Sequence, residues 1–190
     1  MLLKEFFYLI LLCLSIPFFV YIEFNITATN CGEIGLVELS QELILAGLIL
    51  GCFKFPISEL KLFSKVLGSF FAIILVRELD FVFDEIDSGF WFKIVIVILV
   101  GLVYYIYNKL DLLRYQFNIF HKKSSIQIFV FGICVVFIFS RLFGTGKLWR
   151  IIMLEDYIPI VKTVVQEGLE LLGYGLILFS LVIMKTRSNK

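Results

Sequence analysis

"VLGSFFAIILVRELDFVFDEID", residues 66–87, decides how the chain is read. Eleven residues suited to lipid run directly into Arg77 and five carboxylates, Glu78, Asp80, Asp84, Glu85 and Asp87. A buried helix of a soluble protein could carry such an apolar run, but the whole chain could not come from a soluble domain. Its 190 residues are 61% hydrophobic and 17% aromatic, with a mean hydropathy of +1.00. That composition defines an integral membrane protein.

A bilayer core of about 30 Å requires about 20 apolar residues per helix, and lipid requires every backbone polar group to be paired internally. Six runs meet that description, approximately 6–22, 35–53, 62–80, 90–107, 126–143 and 160–184. The expected fold is all-α, a polytopic membrane helix bundle of six transmembrane helices forming one transmembrane domain over residues 1–190. The first run also fits a signal peptide, with Ala28 near a cut site. Its length and Ile26 three residues before such a cut favour a retained helix.

Lys and Arg mark cytoplasmic ends. With the N-terminus inside, eleven of the 17 basic residues fall on the cytoplasmic side and both termini are cytoplasmic. Only Glu5, Glu59 and Asp111 join them, while the other 13 of the 16 acids fall on the outer side. The expected location is the cell membrane, multi-pass, and in particular a bacterial inner membrane. Asn25-Ile26-Thr27 matches a glycosylation acceptor, a pattern short enough to arise by chance.

On these six helices the polar residues converge in depth. Glu38, Gln41 and Glu42 share a face in the first turns of the second helix. Arg77, Glu78 and Asp80 close the third, with Arg77, Asp80 and Asp84 on one face if the helix continues. Arg141 ends the fifth. In the sixth, Thr163, Glu167, Glu170 and Tyr174 form a stripe. An ionised residue at a helix centre costs about 2.5–3.5 kcal/mol by insertion scales, so these groups must face one another or water. Six acids, Glu38, Glu42, Glu78, Asp80, Glu167 and Glu170, meet only Arg77 and Arg141. Some carboxylates hold protons, or a cation sits among them, or the site opens to water.

The expected ligand-binding set is therefore Glu38, Gln41, Glu42, Arg77, Glu78, Asp80, Arg141, Glu167, Glu170 and Tyr174. A metal there would have oxygen ligands drawn from Glu42, Asp80, Glu167 and Glu170, which suits Mg²⁺, Ca²⁺ or Mn²⁺. The single histidine, His121, lies on the cytoplasmic side, so neither zinc nor haem is expected at this level. Cys13, Cys31, Cys52 and Cys134 lack metal-ligand spacing. The basic residues are dispersed as topology requires, with no pattern for nucleic acid.

Three functions fit these residues. The first is capture, with or without transport, of a cation or small polar ligand in an outward-facing carboxylate and arginine pocket. The second is catalysis on a lipid at the outer leaflet, and the third is a structural subunit or assembly factor. Purely structural pinning of helices by arginine–glutamate pairs is the plain alternative, although such a network would tend to balance its charges. Partners are the lipid bilayer and a second membrane chain, identical or different. Gly47 and Gly51, and Gly168, Gly173 and Gly175, are expected to let helices of the same chain approach closely in preference to forming a dimer face. Residues 108–125 read as an amphipathic helix on an anionic leaflet or an ordinary basic loop, and residues 144–159 as an amphipathic re-entry segment.

Overall fold

The computed structural model describes residues 3–26, 35–85 and 87–188, with side chains for all of these except 24–26. The Asn25-Ile26-Thr27 pattern, Ala28 and Cys31 thus lie outside the described residues or side chains. Every regular element described is helical: α1 (Leu3–Ile26), α2 (Leu36–Lys54), α3 (Lys61–Glu78), α4 (Asp80–Asp84), α5 (Phe90–Ile106), α6 (Leu110–Phe120), α7 (Ile126–Cys134), α8 (Ser140–Phe143), α9 (Gly146–Met153) and α10 (Pro159–Ser188). A π-helical turn, Val135–Phe139, joins α7 to α8. Among the described residues, five stretches are long and apolar enough to cross a membrane: Leu3–Glu23, Leu36–Lys54, Phe90–Phe120, Ile126–Phe143 and Pro159–Ser188. Helix α3 has 18 residues but carries Lys61, Lys65, Arg77 and Glu78, so composition alone does not make it a sixth.

The chain forms two compact units, Met1–Gln41 with Gln127–Leu181, and Glu42–Ile126 with Val182–Lys190. In the first unit, α1 buries the stripe that ends in Ile16 and Glu23. Leu12 and Val20 on that stripe face Gly175 and Gly168 of α10, where an added Cβ would stand 2.9 and 3.6 Å from them. On the other side of α10, Gly173 meets Gly132 of α7. A Cβ on either would lie 2.9 Å from the other's carbonyl oxygen, and one on Gly173 would also press on Val136 at 2.4 Å. These two backbones touch, which only glycine at both positions permits.

The π turn follows this crossing. Its extra residue per turn shifts the register, so Val135 and Val136 are both buried and Ser140 is fully enclosed, its hydroxyl donating to the Val136 carbonyl. Residues 144–159 form α9 and a 3-10 turn, Leu154–Asp156, with Trp149 donating to the Phe143 carbonyl and Arg150 stacked 5.3 Å from the Tyr157 ring.

In the second unit, α3 and α5 pair and α2 packs on α3, with Cys52 and Phe53 pressed against Gly68. Leu45, Leu48 and Cys52 form the inward face of α2. Gly47 and Gly51 fall on the other side, with nothing within 4 Å of an added Cβ. This corrects the expectation that all the glycines serve packing within the chain: those of α10 do, those of α2 do not. Lys65 donates to Tyr105 at 3.2 Å, and eleven residues later Gln116 accepts the Phe63 backbone N–H at 2.8 Å. A straight helix would have carried Gln116 about 16 Å farther along. The chain therefore turns at Tyr107–Lys109, and α6 lies across the start of α3, held by Phe120 stacked on Phe63 at 4.6 Å and by Lys123 paired with Glu59 at 2.8 Å.

Gly173→Leu should destabilise the folded chain by about 1–3 kcal/mol or more through overpacking, whereas Gly47→Leu should change stability by under about 0.5 kcal/mol. Thermal unfolding in detergent, followed by size exclusion, checks the contrast.

Candidate functional site

The first unit gathers its acids around the start of α2. Glu23 comes at the inward stripe's end on α1 and is only 1% exposed. A helix N-terminus carries unpaired N–H groups and partial positive charge. Glu23 supplies what that end lacks: its Oε2 accepts the Val37 backbone N–H at 2.8 Å. Gly35 leaves room for it, since a Cβ there would stand 2.1 Å from Glu23 Oε1. One helical turn on, Gln41, 2% exposed, donates its amide to the Glu167 carbonyl at 2.9 Å, tying α2 to α10.

Carboxylates of α1 and α10 meet at one void. Glu167 lies in the electrostatic field of Glu23, Glu38 and Glu170. Glu23 and Glu167 line a narrow void with Val20, Val37 and Val164. Along the stripe of α10, exposure falls from Thr163 and Glu167, which are half-buried, to Glu170 at 3% and Tyr174 at 1%. Glu170 Oε1 accepts the Gln166 amide at 3.3 Å and lies 3.7 Å from the Arg141 guanidinium, whose side chain is 44% exposed. Gly144 makes space for Gln166, because a Cβ there would stand 2.2 Å from Gln166 Oε1. Glu23 and Glu167 thus share one void, and Glu170 faces Arg141.

The ten predicted residues fall into two sets. Glu38, Gln41, Arg141, Glu167, Glu170 and Tyr174 belong to the first unit; Glu42, Arg77, Glu78 and Asp80 belong to the second. In the second set, Arg77 pairs with its neighbour Glu78 at 2.7 Å, and Glu78 lies in the field of Glu42. The expected face of Arg77, Asp80 and Asp84 does not form. Helix α3 ends at Glu78; the next residue, Leu79, breaks the register with φ −89° and ψ 19°, and Asp80 opens α4 in an exposed position. Asp84 is also exposed, accepting the N–H of Gly89, which has φ 78°, while Asp87 pairs with Lys93. The acids after "VRE" thus build a turn at the surface and not the wall of a pocket.

Glu23 lies outside the expected set, because it follows the apolar run that ends at Ile22. The signal was present in the spacing Leu9, Leu12, Ile16, Val20, Glu23, one helix face that an acid completes. Among the described residues, no group of three or more histidine, cysteine, aspartate or glutamate side chains is arranged to hold a metal ion. Of the oxygen-ligand set, Glu167 and Glu170 belong to the first unit and Glu42 and Asp80 to the second. No protein-family model, curated protein or solved structure matches the chain.

Glu23→Ala strands the Val37 N–H and should cost about 1–3 kcal/mol of stability. Gly35→Ala, which forces the carboxylate away, should lower the unfolding temperature in the same direction. Glu23→Gln, which retains an acceptor oxygen, should lose least of the three when all are unfolded in the same detergent.

Proposed function

We propose that the protein is a multi-pass protein of the cell membrane, in a bacterial inner membrane, whose first unit captures a cation at a carboxylate site on the outer side, as a step in uptake or exchange. Both termini are cytoplasmic in this reading. Helix α3 is the sixth span: its 18 residues reach about 27 Å, close to the thickness of a hydrocarbon core. Its charges fall at its ends, where lysine and arginine side chains reach the interface.

The reading is supported by Glu23 of α1 and Glu167 of α10 lining one narrow void, with Glu170, which lies beside Arg141, one turn farther along α10. Carboxylates gathered in a poorly hydrated place favour a positive ligand. With no three-ligand metal set among the described residues, the proposed ligand is a proton, a monovalent metal ion or a small organic amine. Gln41 and Tyr174 are its neutral hydrogen-bonding neighbours. In the second unit, Glu42 and the Arg77–Glu78 pair make a separate polar set. The acids also hold helices together, as the Glu23–Val37 bond shows. Structural pinning is thus the competing reading.

The test is thermal stability of purified protein in sodium, potassium, ammonium and methylammonium salts at matched ionic strength, at several pH values. A binding cation stabilises the folded state in proportion to its saturation, by about 2.7 kcal/mol at a hundredfold excess over Kd. The unfolding temperature should rise with one of these cations, more at higher pH where fewer protons compete. Glu167→Gln should abolish that rise without lowering basal stability by more than about 1 kcal/mol. If all four salts act alike at every pH, and Glu167→Gln changes only basal stability, the acids are pins and the reading fails.

A further inference from the structure

Helix α6 presents a second feature, independent of the carboxylate site. Between α6 and the start of α3 lies an apolar groove of about 470 Å³ lined by Phe63, Val66, Leu113, Arg114, Phe117 and Asn118. Its floor and walls are hydrocarbon and aromatic ring. Its polar groups are a guanidinium and a carboxamide, four residues apart and hence on one side of the helix. The Arg114 side chain is 79% exposed, with Asp111 3.7 Å away and itself fully exposed, a surface pair that leaves guanidinium N–H groups available.

The surroundings carry one sign. Lys61, Lys65, Lys109, Arg114, Lys122 and Lys123 stand on the first turns of α3, on α6 and on its flanks, against Glu59 and Asp111. Glu59 is already paired with Lys123. Leu110, Leu112 and Phe117 project beside this basic rim, each about half exposed. The combination of exposed apolar side chains, a basic rim and an apolar groove suits an amphiphile better than a soluble anion, which would have no use for the hydrocarbon walls.

We propose that this groove seats one anionic phospholipid, an acyl chain lying against Phe63, Val66 and Leu113 and the phosphate accepting hydrogen bonds from Arg114 and the Asn118 amide. A planar guanidinium is well matched to phosphate oxygens. The turn at Tyr107–Lys109 lays α6 across α3 and so creates the groove, and Gln116 and Phe120 fix α6 there. The lipid fills the space between them.

Native mass spectrometry of the full chain, delipidated and then titrated with phosphatidylglycerol or phosphatidylcholine of identical acyl chains, tests the proposal. The protein should retain one phosphatidylglycerol in preference to phosphatidylcholine. Arg114→Gln, an exposed position that folding does not depend on, should weaken that retention about fivefold and leave phosphatidylcholine unchanged. Val66→Trp, which fills the groove, should remove the tightly held lipid altogether; if it does not fold, the Arg114→Gln comparison decides alone. Equal retention of the two lipids by the unaltered protein would overturn the proposal, as would an undiminished preference in Arg114→Gln. A dimeric mass carrying no bound lipid would assign the groove to a second copy of the chain and would overturn it equally.

Discussion

A carboxylate enclosed by helices cannot remain without a partner, and the burial of Glu23 against the start of α2 is the contact on which the first unit depends. The acid lies at the end of the inward stripe of α1, and the helix end it meets has donors that no earlier turn can satisfy. One bond therefore serves two groups that would each be costly alone. It also fixes where α2 begins, and with it the depth at which Gln41 reaches α10. Once α1, α2 and α10 are joined in this way, Glu167 meets Glu23 at one narrow void.

Glycine decides how close the helices come. Gly132 and Gly173 let α7 and α10 touch backbone to backbone, Gly168 and Gly175 receive Val20 and Leu12 of α1, and Gly35 and Gly144 leave space for the side chains of Glu23 and Gln166. Apolar surface gives little drive to association when the alternative is lipid, so close packing and polar bonds must do more of it. The glycines and the buried polar residues are thus parts of the same solution. In the second unit the corresponding device is an amide, Gln116, which satisfies the N–H of Phe63 near the start of α3 and holds α6 in place.

Much of this was legible in the chain. Runs of apolar residues located the helices to within a few positions, since lipid leaves the backbone few other choices. The stripe Glu167, Glu170, Tyr174 was legible because helical spacing alone puts those residues on one face. Glu23 was not, because the apolar residues up to Ile22 already suffice for a span, and only the face of Leu9, Leu12, Ile16 and Val20 marks the acid that completes it. Nor was the break at Leu79. Nothing in "RELDFV" forbids a continuous helix, and the turn that takes Asp80 off the register of Arg77 depends on how the chain returns through Gly89 into α5. The π turn at Val135–Phe139 is likewise a consequence of packing beside the Gly132–Gly173 crossing, with no signature in its own residues. The identity of any ligand was beyond what residue type and spacing record.

The most direct measurement of the central claim is proximity between α1 and α10 at the level of Glu23 and Glu167. Val20 and Val164 line the same narrow void as those acids. With the native cysteines replaced, a cysteine pair at positions 20 and 164 should be joined within one chain by a short thiol cross-linker in membranes, detected by mass spectrometry of the linked peptides. A pair at 10 and 164 should not be joined. Linkage of the second pair but not the first would place α1 in a different register on α10, and the shared carboxylate site would not exist.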